Sequence, residues 1–208
     1  MTKKIKLTIG IPSIPSREER FLKPLVKKLT DQIGERQDIQ ILIINDNKKM
    51  SVGKKREALF NSASGRYCCI IDDDDDVMDN FIAVLDEVIT PDLDVDVICY
   101  NQETLHQGRV WTIKPSLLHK IEPPFDPLQD DEDGTPIPCL RPPWHWCTWK
   151  TEFVKSIPFP DINWGEDAIF VQHACQQAKT QLIIDQTLCQ YRDDPDVSET
   201  HYEPEDKI

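Results

Sequence analysis

An α/β fold, with a central and mainly parallel sheet flanked by helices, is what this 208-residue chain predicts. Three observations lead there. The first third alternates strand, helix, strand, helix, strand, an order that favours parallel pairing through right-handed crossovers. The run Tyr67-Cys68-Cys69-Ile70-Ile71 is continuously apolar, as a strand buried on both faces must be. Polar residues gather where each strand ends: Pro12 and Ser13, then Asp46, then five aspartates from Asp72 to Asp76. Open α/β sheets bind ligands outside the carboxyl ends of their strands.

The elements follow in order. Residues 6–11 form the first strand, expected to end at Pro12 because proline has no N–H for a ladder. Ser16, with Glu19 three residues on, reads as a capping box opening a helix to about Ile33. That helix carries Phe21, Leu22, Leu25, Val26 and Leu29 on one face, and Gly34 marks its stop. Residues 39–44 form a second strand delivering Asp46, and a helix over residues 52–64 is stopped by Gly65. After the aspartates come a helix over residues 79–89 and strands near residues 95–101 and 109–113. Residues 116–143 are acidic and rich in proline, long for a structureless loop, which marks them as functional or mobile. A short helix over residues 151–156, a helix from Glu166 to about Ala178, and a last strand from Leu182 towards Tyr191 complete the pattern. Residues 1–191 read as a single domain and residues 192–208 as a polar C-terminal tail.

Composition narrows the class. Hydrophobic residues make up 39% and charged residues 29%, and no run approaches the roughly 20 apolar residues of a membrane span. The N-terminal lysines are followed by no apolar h-region, so no signal peptide is expected. Seven cysteines, with neighbours Cys68 and Cys69 pointing to opposite faces of a strand, suit reduced thiols in a cytoplasmic protein. Cys139, His145 and Cys147 lack the paired CxxC spacing of structural zinc, and His145 and His173 read as packing histidines. A net charge of −13 disfavours nonspecific binding to polyanions, although Lys48, Lys49, Lys54, Lys55 and Arg56 cluster locally. Neither GxGxxG nor GxxxxGK[ST] is present.

The five aspartates pose an electrostatic question. Two like charges about 4 Å apart repel by about 4 kcal/mol at an effective dielectric of about 20. Either the carboxylates splay into water as a solvated acidic loop, or a divalent cation with a polyphosphate compensates them. Their attachment to a strand too apolar for the surface favours the second reading.

The ordered set of motifs resembles a GT-A-fold nucleotide-sugar glycosyltransferase, nearest in pattern to the inverting family-2 enzymes. The matches are the Pro-Ser ending of the first strand, Asp46, Val52-Gly53-Lys54-Lys55-Arg56, Ile-Ile-Asp-Asp-Asp-Asp, and Gly165-Glu166-Asp167 at a helix start. They span residues 6 to about 191. The resemblance implies that Pro12, Ser13, Asp46, Lys55, Arg56, Asp72 and Asp73 contact the donor. It implies Mn²⁺ or Mg²⁺ on the Asp-x-Asp pair Asp72 and Asp74, with Asp74 the favoured ligand and Asp75 also in the pattern. The late histidine of many relatives is absent after Tyr191 and Arg192, and His201 is its candidate replacement. Asp167 is implied as general base and Glu166 as the residue holding the acceptor hydroxyl; both also suit a helix N-terminus as such. Trp146 and Trp149, with Trp144, suit either a stacking platform for the acceptor or the core, while Trp164, Gly165 and Glu166 are assigned to the acceptor.

The implied activity is inverting, metal-dependent transfer of a sugar from a nucleoside-diphosphate sugar, uridine-based, to a hydroxyl. Acceptors compatible with the sequence are a saccharide, a small molecule or a hydroxymethylated DNA base. Two other classes remain open: a nucleotidyltransferase, which usually carries a Gly-rich signature not found after Ile11, and a noncatalytic nucleotide-sugar-binding relative.

Overall fold

The computed structural model describes residues 4–120 and 128–192. The chain runs β1 (Leu7–Ser13), α1 (Lys23–Ile33), β2 (Ile39–Asn45), α2 (Val52–Ser62), β3 (Tyr67–Ile70) and β4 (Asp76–Val77). It continues with α3 (Phe81–Val88), β5 (Val97–His106), β6 (Arg109–Pro115), β7 (Cys139–Arg141) and β8 (Thr148–Lys150). Last come α4 (Thr151–Val154), α5 (Glu166–Gln177) and β9 (Gln181–Arg192).

All these strands share one sheet, ordered β2-β1-β3-β8-β5-β6-β7, with β9 paired to β4 and β5. Most paired residues lie in parallel ladders: β1 with β2 and β3, β5 with β9, and β6 with β7. Antiparallel β8 joins β3 to β5, so the chain has the α/β architecture with a mainly parallel sheet that its sequence predicts. Alternation along the strands divides the core. Leu7, Ile9, Ile11, Tyr67, Cys69 and Ile71 pack with Leu25, Leu29, Phe81 and Leu85 of α1 and α3 on one face. Cys68 and Ile70 pack with Leu59, Phe60, Phe170 and Val171 of α2 and α5 on the other. Neighbouring Cys68 and Cys69 therefore serve opposite faces, and every cysteine is free. Each fully buried Leu, Ile, Val or Phe side chain among them contributes about 1.5–3 kcal/mol.

Two local expectations are corrected. β1 continues through Pro12 and Ser13, which pair in register with Ile44 and Asn45 of β2. Pairing with β3 stops at Gly10, so Pro12 has a strand on one side only and its missing N–H removes no ladder bond. Ser16 forms no capping box: Pro15–Arg17 is a 3₁₀ turn followed by a π turn at Glu18–Leu22, and neither carries a side-chain cap. Proline at residue 15 sets the tighter first turn instead. Gly34 does stop α1, with a φ of 59° that favours glycine. The expected strands near residues 95 and 109 are longer than predicted, because each completes the other's ladder through a tight turn at Gln107 and Gly108.

One contact positions the site. Ser51 caps α2 by accepting from the Lys54 amide at 3.1 Å, and its hydroxyl donates to Asp161 at 2.7 Å. The Val52 amide donates to the Asn163 side chain at 3.0 Å and the Gly53 amide to the Ile162 carbonyl at 3.1 Å. A Cβ on Gly53 would stand 2.0 Å from the Pro160 carbonyl oxygen, so only glycine permits this approach. The loop then turns at Gly165, φ 75°, into α5. Among the described residues no helix is long and apolar enough to cross a membrane. Arg192, expected to begin the polar tail, ends β9, and residues 193–208, with His201, lie outside the described residues.

Candidate active site

A cavity of about 430 Å³ opens beyond the carboxyl ends of β1 and β3. Pro12, Ser13, Arg17, Lys55, Arg56 and Asp72 to Asp74 line it, and so does the stretch from Asn163 to Asp167. The strand ends of the first third and the start of α5 thus meet across one space, within the range of small-molecule sites.

Its charges are paired in a chain. Arg56, buried on α2, donates to Asp72 at 2.7 Å and also to Glu166. His145 Nε2 lies 3.3 Å from the same Asp72 oxygen. Burial alone would raise the Asp72 carboxyl; Arg56 and His145 outweigh it and hold the group far below the usual carboxylate range. Glu166 shares the same guanidinium but titrates differently. Burial, helped by neighbouring Asp167 and only partly opposed by Arg56, pushes Glu166 up to about 7. Lys55 points inward, donating to the Ser13 carbonyl at 2.9 Å and pairing with Asp46 at 2.5 Å. Burial works against the Asp46 carboxylate, yet Lys55 and the Met50 amide, 2.8 Å away, lower its pKa.

Arg17 bridges Asp73 at 3.1 Å and Asp74 at 3.0 Å, while the Ser13 hydroxyl donates to Asp73 at 2.6 Å. Burial raises both carboxyls. Arg17 does not balance Asp74, where Asp72 and Asp73 add repulsion and the group is pushed up to about 6. Asp75 turns away from the cavity into the interior, its Oδ1 accepting from the Arg192 amide at 3.3 Å. Asp75, expected as a further metal ligand, is thus not among the residues lining the cavity. Asp76 faces Lys28 and Arg192.

No three His, Cys, Asp or Glu side chains among the described residues are arranged to hold a metal between them. Mg²⁺ and Mn²⁺ in phosphate sites need only one or two protein carboxylates, the phosphates completing the shell. Asp72 and Asp74 fit that requirement: they are hard oxygen donors on the cavity wall, and the excess negative charge around Asp74 favours a cation.

The remaining expectations divide. Asp167, Glu166, Trp164 and Gly165 line the cavity. Trp146 and Trp149 do not: they are 1% and 0% exposed, packed into the two halves of the core, so their acceptor role is corrected. Trp149 stacks on Phe153 and donates to the Trp144 carbonyl at 2.8 Å, which is core behaviour. His145 is buried and packs against Trp144 and Trp146, as expected of a packing residue, and it also touches Asp72. Arg17, Thr104, Arg141 and Tyr191 are cavity residues that sequence reasoning missed. The proline and two acidic neighbours around Arg17 were the one signal present; Thr104 and Arg141 have none until β5, β6 and β7 are paired.

No protein-family model and no curated protein matches the sequence. Solved structures do match in fold. S. aureus TarS residues 1–349 in complex with UDP-GlcNAc gives a TM-score of 0.58 at 15% identity, over 91% of this chain and 59% of that one. The complex of the same fragment with UDP gives 0.57 at 16%, over 92% and 61%. The longer S. aureus TarS structure gives 0.57 at 14%, over 92% and 37%. The chain spans about three fifths of the TarS fragment it matches. With the strand order and the site at the strand ends, this likeness shows that the chain has the GT-A fold.

Proposed function

We propose that this chain is a glycosyltransferase moving a sugar from a nucleoside-diphosphate sugar, uridine-based, to an acceptor hydroxyl with inversion. One observation carries the proposal: Arg56 links Asp72 at the end of β3 to Glu166 at the start of α5, so a donor-side carboxylate and the Glu166-Asp167 pair face one cavity. The fold neighbours bound to UDP and UDP-GlcNAc support the donor class.

In this reading Asp46 and Lys55 meet the nucleoside end of the donor. Arg17 and Arg56 supply guanidinium charge beside the diphosphate, where negative charge grows as the sugar leaves. Mg²⁺ or Mn²⁺, held by Asp74 and Asp72, would add Lewis-acid stabilisation of the leaving group. Asp167 takes the proton from the acceptor hydroxyl as that oxygen attacks the anomeric carbon from the face opposite the diphosphate, which inverts the centre. Glu166, anchored by Arg56, orients the hydroxyl. The free thiols, five of them buried, support a cytoplasmic location.

A saccharide or small-molecule acceptor is favoured over a modified DNA base. Lys55 and Arg56 are buried in the site and Lys54 pairs with Glu57 at 2.8 Å, so of the basic cluster read from sequence only Lys48 and Lys49 stand exposed, a small surface for a polyanion. UDP released from a panel of UDP-sugars, with and without Mg²⁺ or Mn²⁺, tests the activity. Metal-stimulated release from at least one donor is expected; absence of both release and donor binding contradicts it.

A further inference from the structure

Asp72 is held from two sides, and only one of its partners belongs to the motifs read from the sequence. Arg56 Nη2 donates to Asp72 Oδ2 at 2.7 Å, and His145 Nε2 lies 3.3 Å from the same oxygen. Among the described residues Oδ1 has no hydrogen-bond partner, so it is the oxygen left for a ligand in the cavity that Asp72 lines. His145 reaches this point by way of the sheet. Its carbonyl accepts from the Ile70 amide at 3.1 Å, which sets the residue beside the end of β3. The residue is 2% exposed, its ring confined by Trp144, 5.3 Å away between centroids, and by Trp146, edge-on at 6.4 Å. The other ring nitrogen is equally informative. Nδ1 is buried and has no hydrogen-bond partner among the described residues, so a proton there would be an unsatisfied buried donor. Asp72, paired with Arg56, is a carboxylate and accepts only. The proton therefore sits on Nε2 and is donated to Oδ2.

Resting on the donor-site reading of Asp72, we propose that His145 is a positioning residue for sugar transfer, its Nε2–H turning the Asp72 carboxylate so that Oδ1 faces the donor. Arg56 serves Glu166 on α5 as well as Asp72, whereas the imidazole serves Asp72 alone. A carboxylate held at one oxygen by two donors has less freedom to lose when a ligand arrives, which is how groups behind a binding residue raise its affinity. A histidine that only filled the core would need no donor at that nitrogen, and the two roles separate on this point.

The test compares His145→Gln with His145→Asn. A glutamine amide nitrogen reaches the place of Nε2 and an asparagine amide only that of Nδ1, so Gln keeps the bond to Asp72 and Asn loses it. Calorimetric titration of UDP in the presence of Mg²⁺ is expected to show affinity weakened about tenfold in His145→Asn and kept within about twofold of the wild type in His145→Gln. Equal losses in both variants are the signature of packing and overturn the proposal, as do affinities unaltered in both or a larger loss in His145→Gln. Nitrogen-15 NMR of the wild-type histidines gives a reading that needs no variant to fold. A neutral His145 ring protonated at Nε2 is expected, and a neutral ring protonated at Nδ1 overturns the assignment whatever the variants do. A wild type that binds no UDP removes the donor reading itself, and with it the role of Asp72 that His145 serves.

Discussion

Replacing Asp167 with Asn lowers sugar transfer by about 10²–10⁴-fold while the dissociation constant for the UDP-sugar stays nearly the same. Asn keeps the shape of the side chain and removes the proton-accepting charge. Asp167 stands at the first turn of α5, its Oδ1 accepting from the Ala168 amide at 2.8 Å, so the loop geometry survives the change. The donor contacts proposed for Asp46, Lys55, Arg56 and Asp72 come from other elements and are untouched. UDP release under saturating donor, set beside calorimetric donor affinity, separates the two quantities. Unchanged turnover would remove Asp167 as the base, and equal losses of turnover and affinity would make it a binding residue.

The second large effect is on stability. Arg56→Met leaves Asp72 and Glu166 as uncompensated carboxylates in a buried setting, where their side chains are 23% and 7% exposed. Breaking a buried pair by removing one partner is destabilising by about 3–5 kcal/mol, or roughly 6–20 °C in Tm for a domain of this size. Asp72 retains some solvent and His145, so most of the penalty falls on Glu166. Adding Glu166→Gln to Arg56→Met is expected to restore a large share at pH 8, since a neutral amide tolerates burial better than a lone carboxylate. A double-mutant cycle on thermal unfolding reads this coupling directly. Additive losses would mean that the two side chains do not depend on one another.

What the sequence carried was the part set by periodicity. The apolar run from Tyr67 to Ile71 had to be a central strand, and that placed Asp72 to Asp74 at the sheet edge before any coordinate was known. Gly165-Glu166-Asp167 likewise announced a helix start, because glycine and two acids suit that terminus. What stayed hidden depended on contacts between distant segments. Nothing in Trp144, His145, Trp146 and Trp149 as a string says which ring enters the core; pairing β8 with β3 and β5 decides it, turning Trp146 and Trp149 inward. The same pairing brings the His145 carbonyl to the Ile70 amide at 3.1 Å and its ring to Asp72. Lys54-Lys55-Arg56 looked alike in sequence, yet the helix turns two of them inward and one outward. Pro12 was misjudged because the rule against proline in strands applies to a fully flanked strand, which β1 no longer is at that point.

The most direct measurement is calorimetric titration of UDP into the protein with Mg²⁺ and again with EDTA, beside the Asp74→Asn variant. Asp74 is pushed up to about 6 by burial and by its acidic neighbours, with Arg17 acting against them, and its charge is the one that a divalent cation bound with the diphosphate is expected to neutralise. The expected result is UDP binding that requires Mg²⁺ in the wild type and is lost in Asp74→Asn. No binding of UDP under either condition, or binding that neither EDTA nor Asp74→Asn alters, would contradict a metal-assisted donor site at the end of β3.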